Sequence, residues 1–261
     1  MQKFTIKTES QESIIGNIFY PSQKALGLVF ILHGLAGFKE EDYLLKCVDV
    51  FLKNNITVCT YDARHSFGES DGNLKNACFS NFIKDFEIVL NWCKKQDFYQ
   101  EPFFALGHSL GAGAILYKSI LSPDIFKGIV CLSPVYNGQK LIDSYQKFKP
   151  EFVLTWEKEK YLYKEKENNP SINGYISFDH IIDAKKYHLE TEAYKITCPI
   201  LIITGDRDIS STIEINETLF NALRSQKMLH IIPNGTHTYR KKENKDELEI
   251  ILNEWLGKNF K

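Results

Sequence analysis

Phe103-Phe104-Ala105-Leu106-Gly107-His108-Ser109-Leu110-Gly111-Ala112-Gly113-Ala114 decides how the chain is read. Phe103 through Leu106 form a continuous apolar run, the character of a strand buried on both faces. Residues 110–121, rich in small side chains, read as a helix. Gly107 and Gly111 flank Ser109, and a glycine lets two backbones pass closely without a Cβ between them. A buried strand that turns sharply into a helix presents its serine hydroxyl at the helix N-terminus. Free N–H groups and the helix dipole favour negative charge there. Ser109 is therefore the candidate nucleophile.

The Gly-x-Ser-x-Gly pattern occurs a second time, at Gly68-Glu69-Ser70-Asp71-Gly72. That copy sits in a polar, glycine-rich loop after Tyr61, with no apolar strand leading straight into it. Ser70 reads as a turn residue. Context separates the two serines, and the motif alone does not.

Outward from Ser109, short apolar runs alternate with longer amphipathic segments. Strands are expected over residues 4–7, 13–20, 27–32, 56–61, 102–106, 127–132, 199–204 and 227–232. Helices are expected over 39–54, 80–95, 110–121, 212–223 and 243–256. In the first helix Tyr43, Leu44, Cys47, Val48, Phe51 and Leu52 fall on one face. Strand–helix alternation implies parallel strands joined by right-handed crossovers, with helices on both faces. The two leading strands have no helix between them and imply an antiparallel edge. The expectation is an α/β protein with a mostly parallel eight-stranded sheet. Residues 135–195, aromatic and charged, break the alternation. A structureless loop of that length is uncommon, so an inserted cap with its own short elements is expected there. The core would then comprise residues 1–134 and 196–261.

A serine nucleophile needs a base, and the base needs a third group to hold its tautomer. The apolar run Ile200-Leu201-Ile202-Ile203-Thr204 ends in Gly205-Asp206-Arg207-Asp208. Asp208 lies further past the strand's C-terminal end, where sites gather in open α/β sheets, and is the preferred acid. Asp206 is the alternative. The last strand ends in Pro233-Asn234-Gly235-Thr236-His237, and His237 is the candidate base. His230 alternates with apolar residues inside that strand and reads as structural; His180 and His188 lie in the insertion. An oxyanion needs two aimed donors. The backbone N–H of Leu110 is one candidate. Leu35, in the loop His33-Gly34-Leu35-Ala36-Gly37 after the third strand, offers the other.

Composition excludes other classes. Lys and Arg number 32 against 33 Asp and Glu, a net charge of −1, so nothing argues for nucleic acid or an anionic membrane. A hydrophobic fraction of 43% suits one large globular domain. No signal-peptide-like apolar stretch opens the chain, and no run approaches the ~18 apolar residues of a spanning helix. The six cysteines are scattered without a Cys-x-x-Cys pair, which points to reduced thiols and against zinc. A cytoplasmic protein, monomer or homodimer, with no integral membrane segment is expected.

Together, His33-Gly34, Asp62…Gly68…Ser70, Gly107-His108-Ser109-Leu110-Gly111, Ser133-Pro134, Gly205…Asp208 and His237 resemble the α/β-hydrolase superfamily, over essentially the whole chain. The chain looks most like small bacterial carboxylesterases of the cinnamoyl and feruloyl esterase kind. It is also similar to monoacylglycerol-lipase-like and serine-aminopeptidase-like hydrolases. One departure stands out. The common pattern after the fourth strand is Asp-x-Arg-Gly-His-Gly-x-Ser. Here it reads Asp62-Ala63-Arg64-His65-Ser66-Phe67-Gly68-Glu69-Ser70, one residue longer, with His65 in place of a glycine.

The resemblance implies ester hydrolysis through an acyl-enzyme on Ser109, with no metal or organic cofactor and a small-molecule ester as substrate. His33, Gly34, Gly107, His108 and Gly111 would support the site, and the aromatic residues of the cap would shape substrate choice. Peptidases, amidases and thioesterases use the same triad. An aminopeptidase would need an acidic group for the substrate's amine, for which Glu157, Glu159 and Glu192 are the candidates in the insertion. A non-catalytic binding protein on this fold is the different-class alternative, and such proteins often lose a triad member.

Overall fold

Strand composition explains the layering of the molecule, which the computed structural model describes for residues 1–166 and 169–260. In chain order the first six strands are β1 (Gln2–Lys7), β2 (Ser13–Phe19), β3 (Gly27–Leu32), β4 (Ile56–Tyr61), β5 (Phe103–His108) and β6 (Phe126–Leu132). A hairpin, β7 (Tyr161–Lys166) and β8 (Asn169–Ser177), follows, and then β9 (Ile200–Gly205) and β10 (Lys227–Ile232). All but the hairpin join one eight-stranded sheet in the order β1-β2-β4-β3-β5-β6-β9-β10. β2 pairs antiparallel with both β1 and β4; the other pairings are parallel. The antiparallel edge follows from the helix-free link between the first two strands.

Every residue of β3, β4, β5 and β9 is buried. Successive side chains point to opposite faces, so one strand feeds two cores. Leu28, Phe30 and Leu32 belong to one cluster, and Val29 and Ile31 to the other. Phe103 and Ala105 likewise separate from Phe104 and Leu106. Helices α1 (Asp42–Lys53) and α8 (Lys242–Asn259) cover the second cluster. Helices α2 (Phe79–Cys93) and α3 (Leu110–Leu121) cover the first, joined by Leu219 of α7 (Ile213–Ala222). Truncating one of these fully buried rings to alanine costs on the order of 3–5 kcal/mol, so two-sided packing anchors β5 and the turn beyond it.

Residues 135–195 carry their own elements: α4 (Gly138–Phe148), α5 (Pro150–Glu159), the β7–β8 hairpin, α6 (Asp179–Ala184) and two short 3-10 turns. Side chains tie this segment to the rest. Asp183 accepts hydrogen bonds from the Ser80 N–H at 2.8 Å and the Ser80 hydroxyl at 2.7 Å. Ser144 donates to the Ile209 carbonyl at 2.6 Å, from α4 to the loop after β9.

The loop after β4 is held by a buried carboxylate. Asp62 accepts from the Lys39 N–H at 2.7 Å, the Lys39 ammonium at 2.9 Å and the Glu69 N–H at 2.9 Å. His65 has φ of 61° there. That is the left-handed conformation in which glycine is cheapest, which accounts physically for glycine at this place in the common pattern. Among the described residues no helix is long and apolar enough to cross a membrane.

Candidate active site

The turn between β5 and α3 puts Ser109 at φ 53°, ψ −116°, a strained conformation for a non-glycine residue. The glycines beside it are steric requirements. A Cβ on residue 111 would lie 2.4 Å from the His33 carbonyl oxygen, and one on residue 107 would lie 2.4 Å from the Ala112 nitrogen. The strain is held by the neighbours. The Ser109 N–H donates to the Leu132 carbonyl at 2.9 Å, and its carbonyl accepts from Gly113 and Val135, each at 3.1 Å.

Ser109, His237 and Asp208 come together although 128 and 29 positions separate the pairs in sequence. His237 Nδ1 donates to Asp208 Oδ2 at 2.8 Å. The other ring nitrogen, Nε2, is then the acceptor, and the Ser109 hydroxyl donates to it at 3.0 Å. Asp208 is 4% exposed, and its second oxygen accepts from the backbone N–H groups of Ser210 at 2.8 Å and Ser211 at 2.9 Å. Burial alone would raise its pKa; the His237 ring, the Ser133 hydroxyl and the Ser211 N–H outweigh burial and lower it. Asp206 is exposed, and its backbone N–H donates to Ile232, so the two carboxylates are separated by geometry.

Two further histidines position the first. His108 Nε2 donates to the His237 carbonyl at 2.7 Å, which leaves Nδ1 to accept from the Tyr43 hydroxyl at 2.9 Å. Burial, reinforced by the nearby His237 ring, pushes the His108 pKa down to about 3. His33 Nε2 accepts from the Ala63 N–H at 2.9 Å, so its Nδ1 carries the proton and donates to the Gly34 carbonyl at 2.7 Å. Burial lowers its pKa as well. His33 thus pins the loop of Gly34 and Leu35 against the end of β4. Sequence reasoning placed both histidines in the supporting motif, but the roles of Tyr43 and Ala63 are visible only in three dimensions.

Leu35 and Leu110 both line the cavity in which Ser109 and His237 lie. Neither backbone N–H donates a hydrogen bond to another group among the described residues. The cavity measures about 690 Å³. Its wall from the insertion includes Leu141, Tyr145, Phe152, Trp156, Ile176 and His180. Glu157, Glu159 and Glu192, the carboxylates considered for binding an amine, do not line it. His230 is paired with Glu247 at 2.7 Å and does not line the cavity. Ser70 is engaged in backbone bonds in its loop, to Asp62 and Ile15. Among the described residues no group of three or more His, Cys, Asp or Glu is placed to hold a metal ion.

Fold and sequence comparisons agree. The sheet order, the crossovers and the strand–turn–helix at Ser109 define an α/β hydrolase. The chain belongs to the hydrolase family described as serine aminopeptidase, S33, whose model matches residues 23–243. It is 26% identical over 239 residues, 80% of each chain, to the uncharacterized 31.7 kDa protein in the traX-finO intergenic region of Escherichia coli. Among solved structures it is similar to Est1E from Butyrivibrio proteoclasticus, there with ferulic acid bound. The TM-score is 0.79 at 19% identity, over 98% of this chain and 99% of that one. Mouse alpha/beta hydrolase domain-containing protein 10 gives a TM-score of 0.78 at 15% identity, over 99% of both chains. The monoacylglycerol lipase of Paleococcus ferrophilus gives 0.70 at 19%, over 93% of this chain and 98% of that one. At these identities the structural likeness speaks to the fold.

Proposed function

We propose that the protein is a serine carboxylesterase acting on small acyl or aryl esters through an acyl-enzyme on Ser109. The observation that carries this reading is the unbroken hydrogen-bond chain from Ser109 through His237 to Asp208. In the proposed reaction His237 Nε2 takes the Ser109 proton as Oγ attacks the ester carbonyl. The tetrahedral oxyanion accepts from the N–H groups of Leu35 and Leu110. His237 then protonates the departing alcohol, and a water molecule, deprotonated by His237, releases the acid. Asp208 keeps the proton on Nδ1 and stabilises the imidazolium. Losing one oxyanion donor typically costs about 10²–10³ in rate.

The insertion, residues 135–195, is proposed as the cap that shapes the acyl pocket, supported by the aromatic side chains it contributes to the cavity wall. The solved relative that holds ferulic acid is in keeping with an aryl ester substrate. A peptidase reading comes from the family description. Glu157, Glu159 and Glu192 do not line the cavity, so an amine there would have to be met by Glu41 or Glu165, which do. Buried cysteines at 47, 59, 93, 131 and 198, all unpaired, fit a reducing compartment, and a cytoplasmic location is proposed on that basis.

The test is labelling by a fluorophosphonate probe together with turnover of p-nitrophenyl acetate. Both are expected in the wild type and both should vanish in Ser109→Ala. Equal labelling of the variant would overturn the assignment. Turnover of aminoacyl anilides in preference to esters would move the reading to a peptidase.

A further inference from the structure

The charged side chains that line the Ser109 cavity do not mirror the chain as a whole. Four cations, Lys149, Lys164, Arg207 and Arg240, face two carboxylates, Glu41 and Glu165, in a protein of net charge −1. Lys149, Lys164 and Arg207 make no ion pair and no side-chain hydrogen bond among the described residues. Elsewhere Lys39 pairs with Asp62 and Lys118 with Glu87. Although the Lys164 side chain is exposed, desolvation by the neighbouring wall first, and then the like charges of Lys149 and Arg240, hold its pKa below the usual value. A bound anion is the partner that would remove that repulsion.

The position of these charges matters as much as their sign. Lys149 lies at the junction of α4 and α5, and Lys164 lies on β7. Both therefore come from the insertion, which also supplies the apolar wall of Tyr145, Phe152, Trp156 and Leu162. Ser109 and the two leucine N–H groups come from the core loops. A ligand with its carbonyl at Ser109 would thus meet an apolar wall and a pair of ammonium groups on the insertion side.

We infer that the cavity selects esters whose apolar body ends in an anionic group, a carboxylate or a phosphate, held by Lys164 together with Lys149. This rests on the ester-hydrolase reading and narrows its substrate class. It also disfavours substrates with a free ammonium group, because a third cation would be brought towards Lys149 and Lys164. Exposed cations attract an anion through water and give modest selectivity, so the expected preference is roughly tenfold.

The experiment compares the p-nitrophenyl ester of suberic acid, which keeps a free carboxylate, with that of monomethyl suberate, its neutral counterpart. A third ester ends in a phosphate and separates the two anion types. Wild type is expected to favour the anionic esters in kcat/KM by roughly tenfold, chiefly through KM, with the preference falling as salt is added. Lys164→Glu should reverse the ratio, and Lys164→Arg should retain it. A wild-type ratio of one or below, or a ratio unchanged in Lys164→Glu, would overturn the inference. If no ester is turned over and the probe does not label Ser109, the esterase reading fails. Calorimetric titration with monomethyl suberate, which keeps one carboxylate, and dimethyl suberate, which keeps none, then still decides the anion site. Tighter binding of the anion by wild type and not by Lys164→Glu supports it, and equal binding refutes it.

Discussion

Replacing Asp208 by Asn tests whether the hydrogen-bond chain does the work assigned to it. The surroundings dictate how the new amide must sit. Two backbone N–H groups, of Ser210 and Ser211, aim at Oδ1 from 2.8 and 2.9 Å. They require an acceptor, so the amide oxygen takes that place and the NH₂ takes the place of Oδ2, 2.8 Å from His237 Nδ1. A donor facing Nδ1 forces that nitrogen to accept, which moves the ring proton to Nε2. Nε2 then donates towards Ser109 Oγ and cannot take its proton. The wrong tautomer in an otherwise intact site is expected to lower kcat by about 10⁴, close to 5.5 kcal/mol at 1.36 kcal/mol per decade. The assay is p-nitrophenyl ester turnover alongside the second-order rate of fluorophosphonate labelling. Both should fall together, while the melting temperature changes little because shape and volume are conserved. A variant that keeps activity within tenfold of wild type would refute the tautomer argument.

Two other outcomes follow from buried groups away from the reacting atoms. His180 is 3% exposed, its Nδ1 has no partner among the described residues, and burial pushes its pKa down to about 4. Between that value and the ordinary one near 6.5 the unfolded chain binds a proton that the folded protein does not, so stability falls as pH drops through this window. The loss from pH 7 to 5 is about 2 kcal/mol for this group; His180→Phe, which keeps the ring against Trp156, should reduce the pH dependence of urea unfolding by that amount, and parallel pH dependences in both proteins would contradict it. Ser70→Ala removes the donor to the Asp62 carbonyl at 2.6 Å and the acceptor of the Ile15 N–H at 2.8 Å; it should cost about 1–3 kcal/mol in a denaturation curve and leave probe labelling of Ser109 intact, whereas lost labelling with a native melt would make Ser70 the nucleophile.

The sheet was legible because the central strands are buried on both faces. Such strands are written as unbroken apolar runs, Gly27–Leu32 and Ile200–Gly205 among them, and those runs survive any reading window. Ser109 and Asp208 could be picked out because each follows such a run; His237 follows the half-buried strand β10 and was picked out by its place in the order this fold imposes. The individual elements of the insertion were not. The first strand of its hairpin, Tyr161–Lys166, is exposed or half-buried throughout, so no core writes a hydrophobic period into it. Charged residues there look like surface, and nothing in sequence separates Lys164 in the cavity wall from Glu157, which lies outside it. The choice between Asp206 and Asp208 was a matter of degree in sequence. It becomes geometric once two backbone donors are seen to converge on one carboxylate only.

The neighbours of His237 hold the backbone around its ring. His108 donates to the His237 carbonyl with a ring kept neutral down to about pH 3, and His33 holds the Leu35 loop with a ring whose pKa burial also lowers. Each makes bonds that require one nitrogen to accept, from Tyr43 and from Ala63 respectively. Protonating either would break its acceptor bond inside the protein, where an unmet polar group costs about 1–3 kcal/mol. Each acceptor bond therefore opposes protonation of its ring and fixes its geometry. Under the proposed mechanism these clamps keep the Leu35 loop and the His237 backbone in place while the proton moves between Ser109 and His237 Nε2. The same clamps explain why a strained serine, a base on a terminal loop and a buried carboxylate stay aligned: two neutral imidazoles fix the backbone around them while the third is left to exchange its proton.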